Sequence, residues 1–268
     1  MTASDAIANT TSTIVETRRL SPGQRIVRRF LQHRLAVLSV VVLVVLSIVA
    51  IGAPVFARYD PFAIDPMHIR KPPSAAHWLG TDETGRDVLS RLIWGGRVSL
   101  SVGLVAASIS VTIGTVLGLV SGFSGGQVDF WLMRLTDVVM TIPTLIIMIT
   151  LAAVLGPSIW NVMMVIGIFG WTGIARLVRG ETLSLRERDF VMASRCLGAS
   201  SRRIMFRHIL PNVTAPIVVA GTFAIAGAIL SEAGLSFLGI GVRIPTPTWG
   251  NMLTKAQQIT VLESMPWL

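Results

Sequence analysis

The stretch LAVLSVVVLVVLSIVAIGAPVF, residues 35–56, contains no charged side chain and decides the class of fold. A helix that crosses a bilayer needs about 20 predominantly apolar residues, because hydrocarbon offers no partner to an unpaired backbone amide. The many valines lower helix propensity slightly, but burial in lipid outweighs that cost. Residues 35–56 are therefore predicted to form a first membrane span.

Four further apolar stretches predict spans near residues 98–120, 130–155, 159–178 and 213–230. Pro143 lies inside the third stretch and should kink that helix. The whole chain is 52% hydrophobic and 14% charged, with a mean hydropathy of +0.68, which is too apolar for a water-soluble domain. The sequence thus predicts an all-α polytopic membrane protein whose main bundle is residues 98–268.

Basic residues predict how the chain is oriented in the membrane. The net charge of +9 lies in blocks between apolar stretches, which indicates membrane topology and argues against nucleic-acid binding. Since Arg and Lys favour the cytoplasmic side, residues 1–34 are predicted to be a cytoplasmic basic tail and residues 179–211 a cytoplasmic loop. The arginines that precede the first span are Arg18, Arg19, Arg25, Arg28, Arg29 and Arg34.

Because successive spans cross the membrane in opposite directions, residues 57–97 are predicted to lie on the external side. Within this segment Thr81 could cap a helix whose first turn holds Asp82 and Glu83, an arrangement that the helix dipole favours. We therefore predict an interfacial helix on the outer leaflet before the second span begins.

The loop at residues 179–211 has apolar positions spaced for two short amphipathic helices separated by a turn at Gly198. Ala193 and Ser194 are small enough to let a helix end enter a groove on another protein, and the surrounding arginines offer charge complementarity. This pattern leaves two interpretations open, docking on a partner protein or attachment to anionic lipid.

The runs FVMASRCLGAS, residues 190–200, and FRHILPN, residues 206–212, resemble the EAA loop of binding-protein-dependent ABC importer permeases, which docks on the ATPase subunit. Met192, Ser194 and His208 depart from the family pattern and stand where it has Glu, Ala and Ile. The docking residues that the resemblance implies are Met192, Ala193, Ser194, Arg195, Leu197, Gly198, Leu210 and Pro211.

The runs HWLGTD, residues 77–82, and GLSFLG, residues 234–239, resemble the C-type subunit of dipeptide, oligopeptide and nickel permeases. This resemblance implies an ABC importer type I helical bundle, with five spans present and a sixth expected after Leu268. It implies a heterodimer with a homologous permease subunit, two ATP-binding ATPase subunits and an external solute-binding protein. The implied location is the bacterial cytoplasmic (inner) membrane, with the N-terminus in the cytoplasm. Di- or oligopeptides are the implied cargo, and nickel, glutathione or a glycoside are alternatives.

Three glycines four residues apart, Gly114, Gly118 and Gly122, form a small face on the second span. Such a face lets another helix approach closely, either within the chain or across a dimer. Arg134 and Asp137, one turn apart near the cytoplasmic end of the third span, are predicted to pair with each other. Glu232 is predicted at the outer interface, and these three charged residues are candidates for the solute pathway or its gating.

The residues GFSG at 122–125 match a short serine motif of intramembrane proteases. That chemistry needs a histidine base beside the serine, and all four histidines lie outside the apolar stretches. The sequence contains neither the metal-binding motif His-Glu-x-x-His nor a glycine-rich phosphate loop with Lys. We therefore predict no catalytic residue, cofactor or metal, and assign ATP hydrolysis to partner subunits.

Overall fold

The computed structural model describes residues 30–268, so most of the predicted basic tail, with Arg18, Arg19, Arg25, Arg28 and Arg29, lies outside the described residues. The helices of eight residues or more are α1 (Arg34–Ile51), α2 (Val88–Ser124), α3 (Gly126–Thr141), α4 (Thr144–Leu155), α5 (Ile159–Phe169), α6 (Thr172–Arg186), α7 (Asp189–Cys196), α8 (Leu210–Phe237) and α9 (Trp249–Ala256). Shorter helical turns are Ala53–Phe56, Pro66–His68, Ser201–Arg203, Ile204–Ile209 and Ile259–Ser264. The prediction of an all-α protein is confirmed for the described part of the chain, which contains no β-strand.

Four helical segments are long and apolar enough to cross a membrane: α1, α2, the α5–α6 segment and the helix from Ser201 to Phe237. A fifth candidate is the bent pair α3–α4, whose axes differ by 79°. Pro143 caps the start of α4, and the chain leaves helical geometry at Ile142. Proline has no N–H and restricts the preceding residue, which explains why the kink expected in this span is a full break.

Helix α2 begins at Val88, ahead of the predicted span, and runs for 37 residues. The predicted interfacial helix capped by Thr81 is wrong, because the capping residue is Asp87, whose Oδ2 accepts a 2.8 Å hydrogen bond from the Ser90 amide. Thr81 forms an isolated bridge with Asp87, and its hydroxyl donates to the His68 carbonyl. Gly85, with φ of 82°, turns the chain just before the helix starts.

Helix α2 is the centre of the bundle and packs against α5, α6 and α8. The glycine face lies against α6 of the same chain. A Cβ added at Gly114 would lie 2.7 Å from the Ile174 Cβ, and one at Gly118 would lie 2.5 Å from the Ala175 carbonyl oxygen. A Cβ at Gly122 would lie 2.8 Å from the Arg179 carbonyl oxygen of α6. Close contact between the α2 and α6 backbones therefore depends on these glycines.

The last long segment joins the loop at residues 179–211 to the bundle as one helix. The predicted span at residues 213–230 is only its middle, since the helix starts at Ser201 and ends at Phe237. Pro211 cannot donate to the Arg207 carbonyl, and the turn before it widens to a π-helix at Ile204–Ile209. The second amphipathic helix predicted after Gly198 is therefore the first part of a membrane-spanning helix.

Candidate docking loop and its attachments

The turn at Gly198 ends helix α7. Gly198 has φ of 77°, and its amide donates to the Arg195 carbonyl at 2.9 Å. The Leu197 amide donates to the Ala193 carbonyl at 3.1 Å, and the Ala199 amide to the Ser194 carbonyl at 3.1 Å. A left-handed residue that closes a helix in this way is most often glycine, because it has no Cβ to collide with the backbone.

The loop has an exposed apolar surface on the side away from the bundle, and its other side packs against the bundle. Leu197 is 88% exposed and Met192 50% exposed. Ala193, Arg195 and Gly198 are also exposed, as is Pro211, whereas Ser194 and Leu210 are half-buried. Inside, the loop packs on the end of α2 through a buried cluster that includes Val191, Ile204, Ile209, Leu119 and Phe123. Exposed apolar side chains on a rigidly anchored helix are typical of a protein-docking surface.

Asp137 does not pair with Arg134. Its Oδ1 lies 2.6 Å from the Arg176 Nη2 of α6, while Arg134 is exposed on α3. The predicted pair within α3 is therefore wrong, because α6 lies alongside and brings a guanidinium directly to the carboxylate.

Glu232 is fully buried within the protein, where α8 packs against α2 and α9. Its position at the outer membrane interface stays a prediction. Its Oε1 accepts a 2.7 Å hydrogen bond from the Ser236 hydroxyl, and its Oε2 accepts a longer one of 3.4 Å from Ser99. The Ser99 hydroxyl also accepts from the Trp249 amide at 3.1 Å. Glu232 thus joins α8 to α2 and to the start of α9, an attachment that the flanking apolar sequence did not reveal.

The segment before α2 folds around a second carboxylate. Asp82 Oδ1 accepts from the amide and the hydroxyl of Thr84 at 2.8 and 2.7 Å, and from the Arg86 amide at 3.0 Å. The Arg86 Nε lies 3.0 Å from Asp82 Oδ2. Burial alone would raise the pKa of Asp82, but the hydrogen bonds from Thr84 and Arg86 outweigh it and hold the pKa below its ordinary value.

Asp129 and Arg179 form an ion pair that the sequence did not reveal. Arg179 donates to both Asp129 oxygens at 2.6 Å, from Nε and Nη2. Both residues lie at the ends of apolar stretches, so the rule that drew attention to Arg134 and Asp137 applied to them equally. The sequence could not predict that these two residues pair with each other, because they are 50 residues apart.

Residues 114–265 match the family described as binding-protein-dependent transport system inner membrane component, and residues 21–73 match the N-terminal TM domain of oligopeptide transport permease C. A putative peptide permease protein of Brucella suis is 44% identical over 92% of this chain and 82% of its own length. The oligopeptide transport system permease protein OppC of Bacillus subtilis is 38% identical over 89% of this chain and 78% of its own length. The probable D,D-dipeptide transport system permease protein DdpC of Escherichia coli is 40% identical over 88% of this chain and 79% of its own length. The chain therefore belongs to the family of binding-protein-dependent transport system inner membrane components.

Proposed function

We propose that this chain is the permease subunit of an ATP-driven peptide importer and that it forms half of the transport pathway. It pairs with a homologous permease as a heterodimer, receives solute from an external binding protein and docks on ATPase subunits. It carries no catalytic residues of its own, and ATP is hydrolysed by the two ATPase subunits. It lies in the cytoplasmic (inner) membrane with its N-terminus in the cytoplasm. Membership of the family and the names of the relatives support this proposal.

The observation that carries the proposal is the position of helix α7 between two long bundle helices. Arg186 ends α6 only three residues before α7 begins, and Ser201 starts the last long helix three residues after Gly198. A force on the exposed Met192 and Leu197 surface would therefore reach both helices without a flexible linker between them. Closure of the ATPases rocks these helices as a rigid body and switches the pathway between inward and outward access.

Peptide cargo is proposed because three relatives are named for peptide, oligopeptide and D,D-dipeptide transport. Nickel, glutathione or a glycoside would be the cargo if the binding protein encoded beside this chain recognised one of those instead, since related folds carry different solutes.

Gly198→Val tests the docking proposal. A Cβ at Gly198 meets no atom of this chain within 4 Å, so the cost inside the subunit is backbone strain of about 1–2 kcal/mol. We expect normal membrane abundance, loss of ATPase subunits from the purified complex, and loss of uptake of a labelled dipeptide.

Gly156→Val is the matched control. Gly156 has φ of 81°, an added Cβ there also meets nothing within 4 Å, and it lies in the turn between α4 and α5. The control variant should keep its ATPase subunits. Normal ATPase association and uptake in Gly198→Val would show that the loop is a lipid-surface attachment and would remove the docking proposal.

A further inference from the structure

Helix α3 is held to the bundle by little apolar packing. Thr136 is its one buried residue, and large apolar side chains such as Phe130 and Trp131 are exposed. The chain enters α3 through two consecutive left-handed glycines, Gly125 with φ of 67° and Gly126 with φ of 54°. Because the entry turn is glycine-rich and the exit is broken at Pro143, the position of α3 relative to α6 depends on polar contacts.

Two ion pairs join α3 to α6: Asp137–Arg176, with both side chains about half exposed, and the better shielded Asp129–Arg179. The second pair is built on a carboxylate shared by three helices. Asp129 of α3 accepts two 2.6 Å hydrogen bonds from Arg179 of α6 and one from the hydroxyl of Ser121 near the end of α2. The side chains of Arg179 and Asp129 are 33% and 17% exposed, so the pair is shielded more than an ordinary surface pair. A guanidinium bound through two nitrogens fixes direction as well as distance.

The docking loop reaches the same place through two further arginines. Arg186, the last residue of α6, donates from Nη1 to the Gly122 and Phe123 carbonyls at 3.3 and 3.4 Å, which places a cation at the C-terminus of α2. Arg195 of α7 lies over the Phe123 ring, 5.3 Å from its centre. Arg186 at the end of α6 and Arg195 on α7 therefore both contact the end of α2, next to the turn into α3.

We propose that Asp129 is a positioning residue that makes α3 follow α6 when the docking loop moves. This rests on the proposed function, since it assumes that ATPase subunits displace the loop. When the loop moves α6 and α8, the Asp129–Arg179 pair transmits this motion to α3 and to the α2–α3 turn.

The test measures the distance between spin labels at Gln127 of α3 and Ser184 of α6, both exposed, in a Cys196→Ala background of the complete transporter. In the otherwise unchanged chain the distance should be the same without nucleotide and after trapping with ATP and vanadate. In Asp129→Asn it should shift by about 2 Å or more, or broaden, on trapping. Labelled dipeptide imported per ATP hydrolysed should fall about tenfold, as expected for a lost charge-assisted contact.

Glu181→Gln is the control, because it removes the same charge from α6 at an exposed carboxylate that forms no ion pair among the described residues. It should change neither the distance nor the coupling ratio. ATPase subunits should co-purify with Asp129→Asn, which separates this result from a failure of docking. If Asp129→Asn is poorly inserted, Arg179→Lys keeps the charge and loses the two-point contact, so it should show the same shift. An unchanged distance on trapping in whichever variant assembles would overturn the proposal.

Discussion

Gly118 gives the sharpest test of how the bundle is packed. An added Cβ would lie 2.5 Å from the Ala175 carbonyl oxygen, 2.8 Å from the Val178 Cβ and 3.0 Å from the Arg179 amide nitrogen. Two of these three atoms are backbone, so no side-chain rotation relieves the overlap. Gly118→Ala should therefore push α2 and α6 apart by up to about 1 Å.

Overpacking of this kind costs about 1–3 kcal/mol, while Ala gains up to about 1 kcal/mol over Gly in helix propensity. The net destabilisation should be about 1–2 kcal/mol. Gly180→Ala is the matched control on α6, since a Cβ there meets nothing within 4 Å. It should leave stability unchanged or raise it.

The measurement is thermal unfolding in detergent, followed by tryptophan fluorescence. Gly118→Ala should lower the midpoint by about 4 °C relative to the unchanged protein, using the dependence known for chains of this size. If Gly118→Ala melted as high as Gly180→Ala, the close contact between α2 and α6 would be refuted.

Two further predictions concern parts of the chain outside the bundle core. Because the pKa of Asp82 is lowered by folding, its ionised form stabilises the native state at neutral pH, and this contribution is lost as the pH falls through the lowered folded-state pKa. The difference in unfolding midpoint between the unchanged protein and Asp82→Asn should be largest near neutral pH and shrink in acid; a constant difference would contradict the assignment. Cys196 is exposed in the docking loop, so a membrane-impermeant thiol reagent should label it only after permeabilisation, with Cys196→Ala as control. Ala76→Cys in the Cys196→Ala background should be labelled in intact cells, and the reverse pattern would invert the proposed topology.

Several features followed from the sequence because they depend on neighbours along the chain. The apolar runs predicted helices, since lipid leaves a backbone no other way to satisfy its hydrogen bonds. Pro143 predicted a kink where α3 and α4 separate, and Gly198 predicted the turn after α7, because both residues restrict or permit backbone angles locally.

Other features depended on residues far apart in the chain. The sequence suggested that Arg134 and Asp137 would pair, but in the folded chain Asp137 forms its ion pair with Arg176. It indicated no partner for Glu232, whereas packing against α2 and α9 buries the carboxylate and places the Ser99 hydroxyl beside it. Local rules rank neighbours by their spacing on one helix, yet a carboxylate binds whichever donor the fold brings within hydrogen-bond distance. The sequence by itself therefore determined that the apolar runs are helical and that the chain turns at Pro143 and Gly198. Only the tertiary structure decided which charges meet, because that choice is made between helices rather than along them.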